Sequence, residues 1–143
     1  MKTKAFTLME LVVVIILVSI VVAFAIPSYI SGIRKTRERD MNAQLRVIYS
    51  AAQLYRSQAG QYPNQASGPL NYINQTFGLT LPPVNGFVYR YSSADPALFE
   101  VGIQWDTPGG ARLFDQEINQ GPFSAANPCC NAGAIACPSV PAC

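Results

Sequence analysis

The chain of 143 residues has no histidine, and charged residues make up only 13% of it. The lack of histidine removes the commonest general base and the commonest metal ligand. No nucleophile–base constellation replaces it, which argues against an enzyme. The first 128 residues contain no cysteine and the chain has no C-x-x-C. That pattern, with no histidine to complete a site, disfavours zinc. Asp106, Asp115 and Glu117 are too scattered in sequence to form a calcium loop. No cofactor and no metal is therefore expected. Ten basic and eight acidic residues leave a formal charge of +2, which offers little to a polyanion. Nucleic acid is not expected as a primary partner.

One long apolar run is present. From Phe6 to Ile26 only Thr7, Glu10 and Ser19 are polar. As a helix rising about 1.5 Å per residue, the run spans about 31 Å, the thickness of a bilayer's hydrocarbon core. Glu10 lies four residues inside its start. A carboxylate at mid-membrane costs about 2.5–3.5 kcal/mol on insertion scales, so an anchor alone has no use for it. Residues 1–5 are too short for an ordinary secretory signal, which is cut after its apolar region.

A short basic leader (Lys2, Lys4), a small residue (Ala5), Phe6, then Thr7-Leu8-Met9-Glu10-Leu11 and an apolar run ending at Pro27 resemble the amino terminus of type IV pilins and of the related type II secretion pseudopilins. The resemblance covers roughly residues 2–29. It implies that a prepilin peptidase cuts between Ala5 and Phe6 and methylates the new amino group of Phe6. In that family the residue before the cut is usually Gly; Ala5 is the nearest in size. Cleavage removes Lys2 and Lys4 and leaves eight basic and eight acidic side chains. It also creates a charge at Phe6 that can meet Glu10 of a neighbouring subunit. In a medium of low dielectric such a pair attracts strongly, and each charge offsets part of the other's desolvation. Phe6, Glu10 and Pro27 are the expected assembly residues.

The expected architecture is α+β: a long helix packed on a small antiparallel sheet. The expected segments are a leader at 1–5, a transmembrane and filament-core helix at 6–27, an amphipathic helical half at 28–59, and a loop, sheet and tail at 60–143. Pro27 removes one helical donor but need not end the helix. Met41, Leu45, Ile48, Ala52 and Tyr55 recur at spacings of four and three and share one face. Gly60 and Tyr62-Pro63 stop the helix. Residues 60–86 read as a long connection with a short helical turn near 71–77. Strands are expected at Phe87–Tyr91, Leu98–Trp105 and Ala111–Asp115, the last following a Pro108-Gly109-Gly110 turn. They make a three-stranded meander whose apolar side the helix covers. From Gln116 onward no periodicity remains.

Cys129, Cys130, Cys137 and Cys143 crowd the tail. An even, clustered set suggests disulfides and an oxidising compartment. A bridge between the adjacent pair would be strained. Two pairings stay open: 129–137 with 130–143, or 129–143 with 130–137. For orientation, Arg34, Lys35, Arg37 and Arg39 after the span outnumber Lys2 and Lys4 before it, which by count would place the second group inside. Glu38 and Asp40 dilute that group. The pilin resemblance and the cysteines place the carboxyl-terminal part outside, and that is the expectation. The precursor is then an inner-membrane protein, and the product a surface filament.

The resemblance implies a homo-oligomeric filament for adhesion, twitching motility or DNA uptake, built by an assembly platform and a cytoplasmic ATPase. Two alternatives stand beside it. One is a pseudopilin driving protein export, for which calcium dependence would speak. The other is a bitopic membrane-anchored binding protein.

Overall fold

The computed structural model describes residues 7–121 and 127–143. The chain falls into two compact units, one ending at Thr36 and one running from Arg37 to Cys143. Helix α1 runs from Leu8 to Ala59 and passes through Pro27 without ending there. Proline costs one backbone bond and a clash with the carbonyl a turn back, and the stretch from Arg34 to Ala59 is rich in helix formers that carry the helix on.

Helix α1 stops where the sequence places the stop. Gly60 takes φ +78°, a left-handed conformation that side chains with a Cβ rarely adopt. Its N–H donates to the Arg56 carbonyl at 2.8 Å. Strand β1 (Gln65–Gly68) and helix α2 (Leu70–Phe77) follow, then β2 (Phe87–Ser93), β3 (Glu100–Asp106), β4 (Arg112–Asn119) and β5 (Cys129–Ala132). The five strands lie in sequence order, every neighbouring pair antiparallel.

Among the described residues the meander therefore has five strands, not three. Strand β1 (Gln-Ala-Ser-Gly) and β5 (Cys-Cys-Asn-Ala) carry no β-branched or aromatic residue, so nothing local marks them. Each forms because a longer strand offers it an edge. The central strands are shifted from expectation as well. Strand β3 starts at Glu100 because the residues before it close a turn. The Asp95 carboxylate accepts from Ala97 N at 2.8 Å, and Leu98 N donates to the Asp95 carbonyl at 3.0 Å. The Ser93 hydroxyl, at the end of β2, donates to the Leu98 carbonyl at 2.8 Å and so holds Leu98 out of the ladder. Strand β4 extends to Asn119 through Asp-Gln-Glu, whose polarity hides its alternation. Phe114, Gln116 and Ile118 are buried toward the core, and Gln116 is wholly buried there.

The core of the second unit joins one face of α1 to the sheet. Met41, Leu45, Ile48 and Ala52 are all fully buried, while Tyr55 is half-buried and meets Phe77 edge-on at 5.8 Å. Facing them are Phe87, Tyr89 and Tyr91 of β2, Val101 and Ile103 of β3, and Phe114 and Ile118 of β4. The Tyr89 hydroxyl donates to the Gln44 Oε1 at 2.5 Å, a bond from sheet to helix. Burial raises the Tyr89 pKa. Tyr89→Phe is expected to cost about 1 kcal/mol, the usual net value of one such bond. Urea unfolding of the detergent-solubilised chain would measure it, and no change would show that water replaces Gln44.

Candidate assembly interface

The amino-terminal helix begins at a cap. Thr7 Oγ1 accepts from the Glu10 N–H at 3.2 Å, and Leu11 N donates to the Thr7 carbonyl at 3.3 Å. Thr7-x-x-Glu10 has the spacing of a capping box. The Glu10 carboxylate also lies in the first turn, where the helix dipole favours negative charge. Sequence reasoning overlooked this local role of Glu10, although the four-residue pattern announces it.

Beyond the cap, apolar side chains cover every side of the helix. Eighteen large hydrophobic residues between Leu8 and Ile33 are exposed, from 83% at Leu8 to 38% at Ile33. The helix is long and apolar enough to cross a membrane, and none of its most apolar stretch is buried within the chain. A helix apolar all round is stable only inside lipid or inside other protein. The Ser19 hydroxyl needs no outside partner, because it donates to the Ile15 carbonyl at 2.7 Å within the helix itself. Glu10 is exposed and is the single full charge between Leu8 and Ile33. Pro27 lies inside the helix. Ala5 and Phe6, the expected cleavage and methylation positions, lie outside the described residues.

The cysteines are joined as Cys129–Cys143 and Cys130–Cys137, one of the two arrangements left open by their spacing. Strand β5 pairs with β4, Glu117 opposite Cys129 and Gln116 opposite Cys130. The tail then returns to β5: Cys130 N donates to the Pro141 carbonyl at 2.8 Å and Cys143 N to the Cys130 carbonyl at 3.2 Å.

By sequence Glu38 only dilutes the arginines around it. The structure places it differently. Glu38 is 1% exposed, and its carboxylate receives the backbone N–H of Ser139 and of Val140, each at 2.9 Å, and the Ser139 hydroxyl. Three donors match a buried carboxylate well. The tail is thus fixed to α1 across about a hundred residues of sequence, a contact no local pattern signals. Among the arginines nearby, Arg37 lies over the Phe87 ring at 5.6 Å and Arg46 Nε donates to Asn42 Oδ1 at 3.2 Å.

The outer face of the sheet carries a charge network. Arg90 of β2 lies 3.5 Å from Glu117 and 3.9 Å from Asp115, and Arg112 lies 3.2 Å from Asp115. Asp115 is 1% exposed. Burial pushes the Glu117 pKa up, the charges of Glu100 and Asp115 push it further, and Arg90 and Asn131 oppose them. A raised folded-state value means that the folded chain holds this proton more tightly than the unfolded chain. Glu117 therefore favours folding least once the pH exceeds its folded pKa, and stability falls as pH rises through that range. Glu117→Gln is expected to remove this fall and to raise stability slightly at neutral pH. Thermal unfolding of both chains from about pH 4 to about pH 8 would measure it, and parallel curves would refute the assignment.

Against known proteins, the chain is 26% identical over 93 residues to the type IV major pilin protein PilA of Myxococcus xanthus (strain DK1622), a stretch that covers 65% of this chain and 39% of that protein. The chain thus spans well under half the length of this relative. No protein-family model matches the chain, and no solved structure matches it. In sequence the chain is similar to a type IV pilin, and its long apolar amino-terminal helix with an antiparallel sheet is the α+β architecture that this resemblance implies.

Proposed function

We propose that this chain is a structural subunit of a type IV pilus, held in the membrane by its amino-terminal helix and then assembled through it. The observation that carries the reading is the helix from Leu8 to Ile33, apolar on all sides and uncovered within the chain. Lipid covers it first, and other copies of the same helix cover it in the filament. The similarity to a major pilin supports the same reading. The two disulfides suit an oxidising compartment, outside the inner membrane.

In this proposal a prepilin peptidase cuts between Ala5 and Phe6, and Phe6 is methylated. The new amino group and Glu10 of an adjacent subunit then pair within the apolar bundle. A misplaced subunit would leave both charges in hydrocarbon, so the pair selects the axial stagger. Before cleavage the charge at Phe6 does not exist, which makes processing the switch for assembly. An assembly platform and its ATPase supply the work. The subunit itself bears load and catalyses nothing.

Intact mass of protein sheared from the cell surface, beside the membrane fraction, tests the proposal. The expected surface species begins at a methylated Phe6 and is four hydrogens lighter than its fully reduced form, two for each disulfide. The processed species found only in the envelope would instead indicate a pseudopilin-like role. A chain still carrying Met1–Ala5 in both fractions would refute processing and the switch with it.

A further inference from the structure

The two disulfides differ in their surroundings. Cys130 is 1% exposed and belongs to the core. Cys143 is exposed, and its partner Cys129 is half-buried. A carboxylate oxygen of Glu117 and the two sulfurs of Cys129 and Cys143 all lie within 4.8 Å of one another. These sulfurs are bonded to each other, so they offer no thiolate to a metal. The same arrangement places a charge beside a reactive bond.

We propose that Cys129–Cys143 is a thiol–disulfide exchange site, open to external thiols and gated by the charge of Glu117. An incoming thiolate attacks Sγ of Cys143. A new S–S bond forms to the incoming sulfur as the bond to Cys129 breaks. The electron pair leaves on Cys129 Sγ, which takes a proton from water. The product is a mixed disulfide at Cys143 and a thiol at Cys129, and the incoming thiol is the only co-reactant.

Access and charge both act on this step. Thiolate attack needs access to a sulfur, and Cys143 is an exposed residue whereas Cys130 of the other bridge is buried. As an anion, Glu117 repels an anionic attacker. Arg90, 3.5 Å away, offsets this in part, whereas Asp115 and Glu100 add to it and Asn131 bonds to the carboxylate. Opening the bond would not release the tail. Cys130–Cys137 still closes the loop, Pro141 still accepts from Cys130 N, and Glu38 still holds Ser139 and Val140. Cys143 thus becomes an attachment point for a thiol on a fold that persists.

The test exposes the oxidised full-length chain in detergent to reduced glutathione, which is anionic, or to cysteamine, which is cationic. Alkylation and peptide mapping then locate the reacted cysteines. Cys129–Cys143 is expected to open at least about tenfold faster than Cys130–Cys137, and the mixed disulfide is expected at Cys143. Glu117→Gln should speed the reaction with glutathione roughly fivefold at neutral pH, a screened charge effect, and should reduce the preference for cysteamine. The advantage of the variant should shrink as Glu117 becomes protonated in the native chain. Equal opening of both bridges, or earlier opening of Cys130–Cys137, would overturn the assignment of the site. Equal rates for variant and native chain with both thiols would overturn the gate. The ratio of cysteamine to glutathione rates on the native chain tests the gate without any substitution.

Discussion

Glu10→Gln is expected to reduce surface filaments at least ~100-fold while leaving the second unit folded, because it removes one partner of the proposed pair with the Phe6 amino group, and losing one partner of a buried ion pair costs about 3–5 kcal/mol, each 1.4 kcal/mol being about tenfold in an equilibrium. Glutamine is the informative substitute. It satisfies the same capping-box position as glutamate, so the start of α1 at Thr7 keeps its pattern. Only the charge is lost. Under the proposed mechanism each subunit would then bury the Phe6 amino group without a counter-charge. Glu10→Asp keeps the charge but shortens its reach, and should fall between the two. Quantifying sheared filaments against total membrane-held subunit gives the answer directly. Filaments at the native level from the glutamine variant would reduce Glu10 to a helix-capping residue.

The second large effect is expected at Glu38. Glu38→Ala leaves two backbone N–H groups and one hydroxyl of the tail without their acceptor. Bonds to a charged group contribute about 1.5–3 kcal/mol each, but the freed donors can turn to water because Ser139 is exposed, so a net loss of about 2–4 kcal/mol is expected. The disulfides limit how far the tail can move, since Cys137 and Cys143 remain tied to β5. The damage should therefore concentrate at Ser139 and Val140. Hydrogen exchange at those two amides should quicken markedly, with little change at Val101 or Ile103 in the central strand. Glu38→Gln keeps one carbonyl acceptor and should lose about half as much. Uniform loosening across the sheet would show that Glu38 supports the whole unit rather than the tail.

The residues themselves explain which parts of this fold are legible in the sequence. The apolar run, the 41–55 stripe, the Gly60 stop and the turn at residues 108–110 are local patterns. Each follows from a side-chain period or from the conformational freedom of glycine, and each appears in the structure where the pattern placed it. The short helix α2 is legible for the same reason, within one residue of its start. Strands β1 and β5 are not. Four residues without β-branched side chains carry no signal, and they become strands only because β2 and β4 present unpaired backbone to them. Gln116 conceals the length of β4 because a buried amide breaks the apolar alternation.

The sequence by itself determined that the run from residue 6 to residue 26 is an apolar helix of membrane-spanning length, with only Thr7, Glu10 and Ser19 polar. It also determined that a single carboxylate would accompany that helix, and that the remaining chain would pair a helix face with an antiparallel sheet. Only the tertiary structure decided between the two cysteine pairings, because both are compatible with the spacing and the choice depends on which tail residue reaches β5. Only it turned Glu38 from one charge in a basic segment into the acceptor that holds the tail. The physical reason is the same in both cases: such contacts are set by where the packed core brings distant parts of the chain together, and no local period records them.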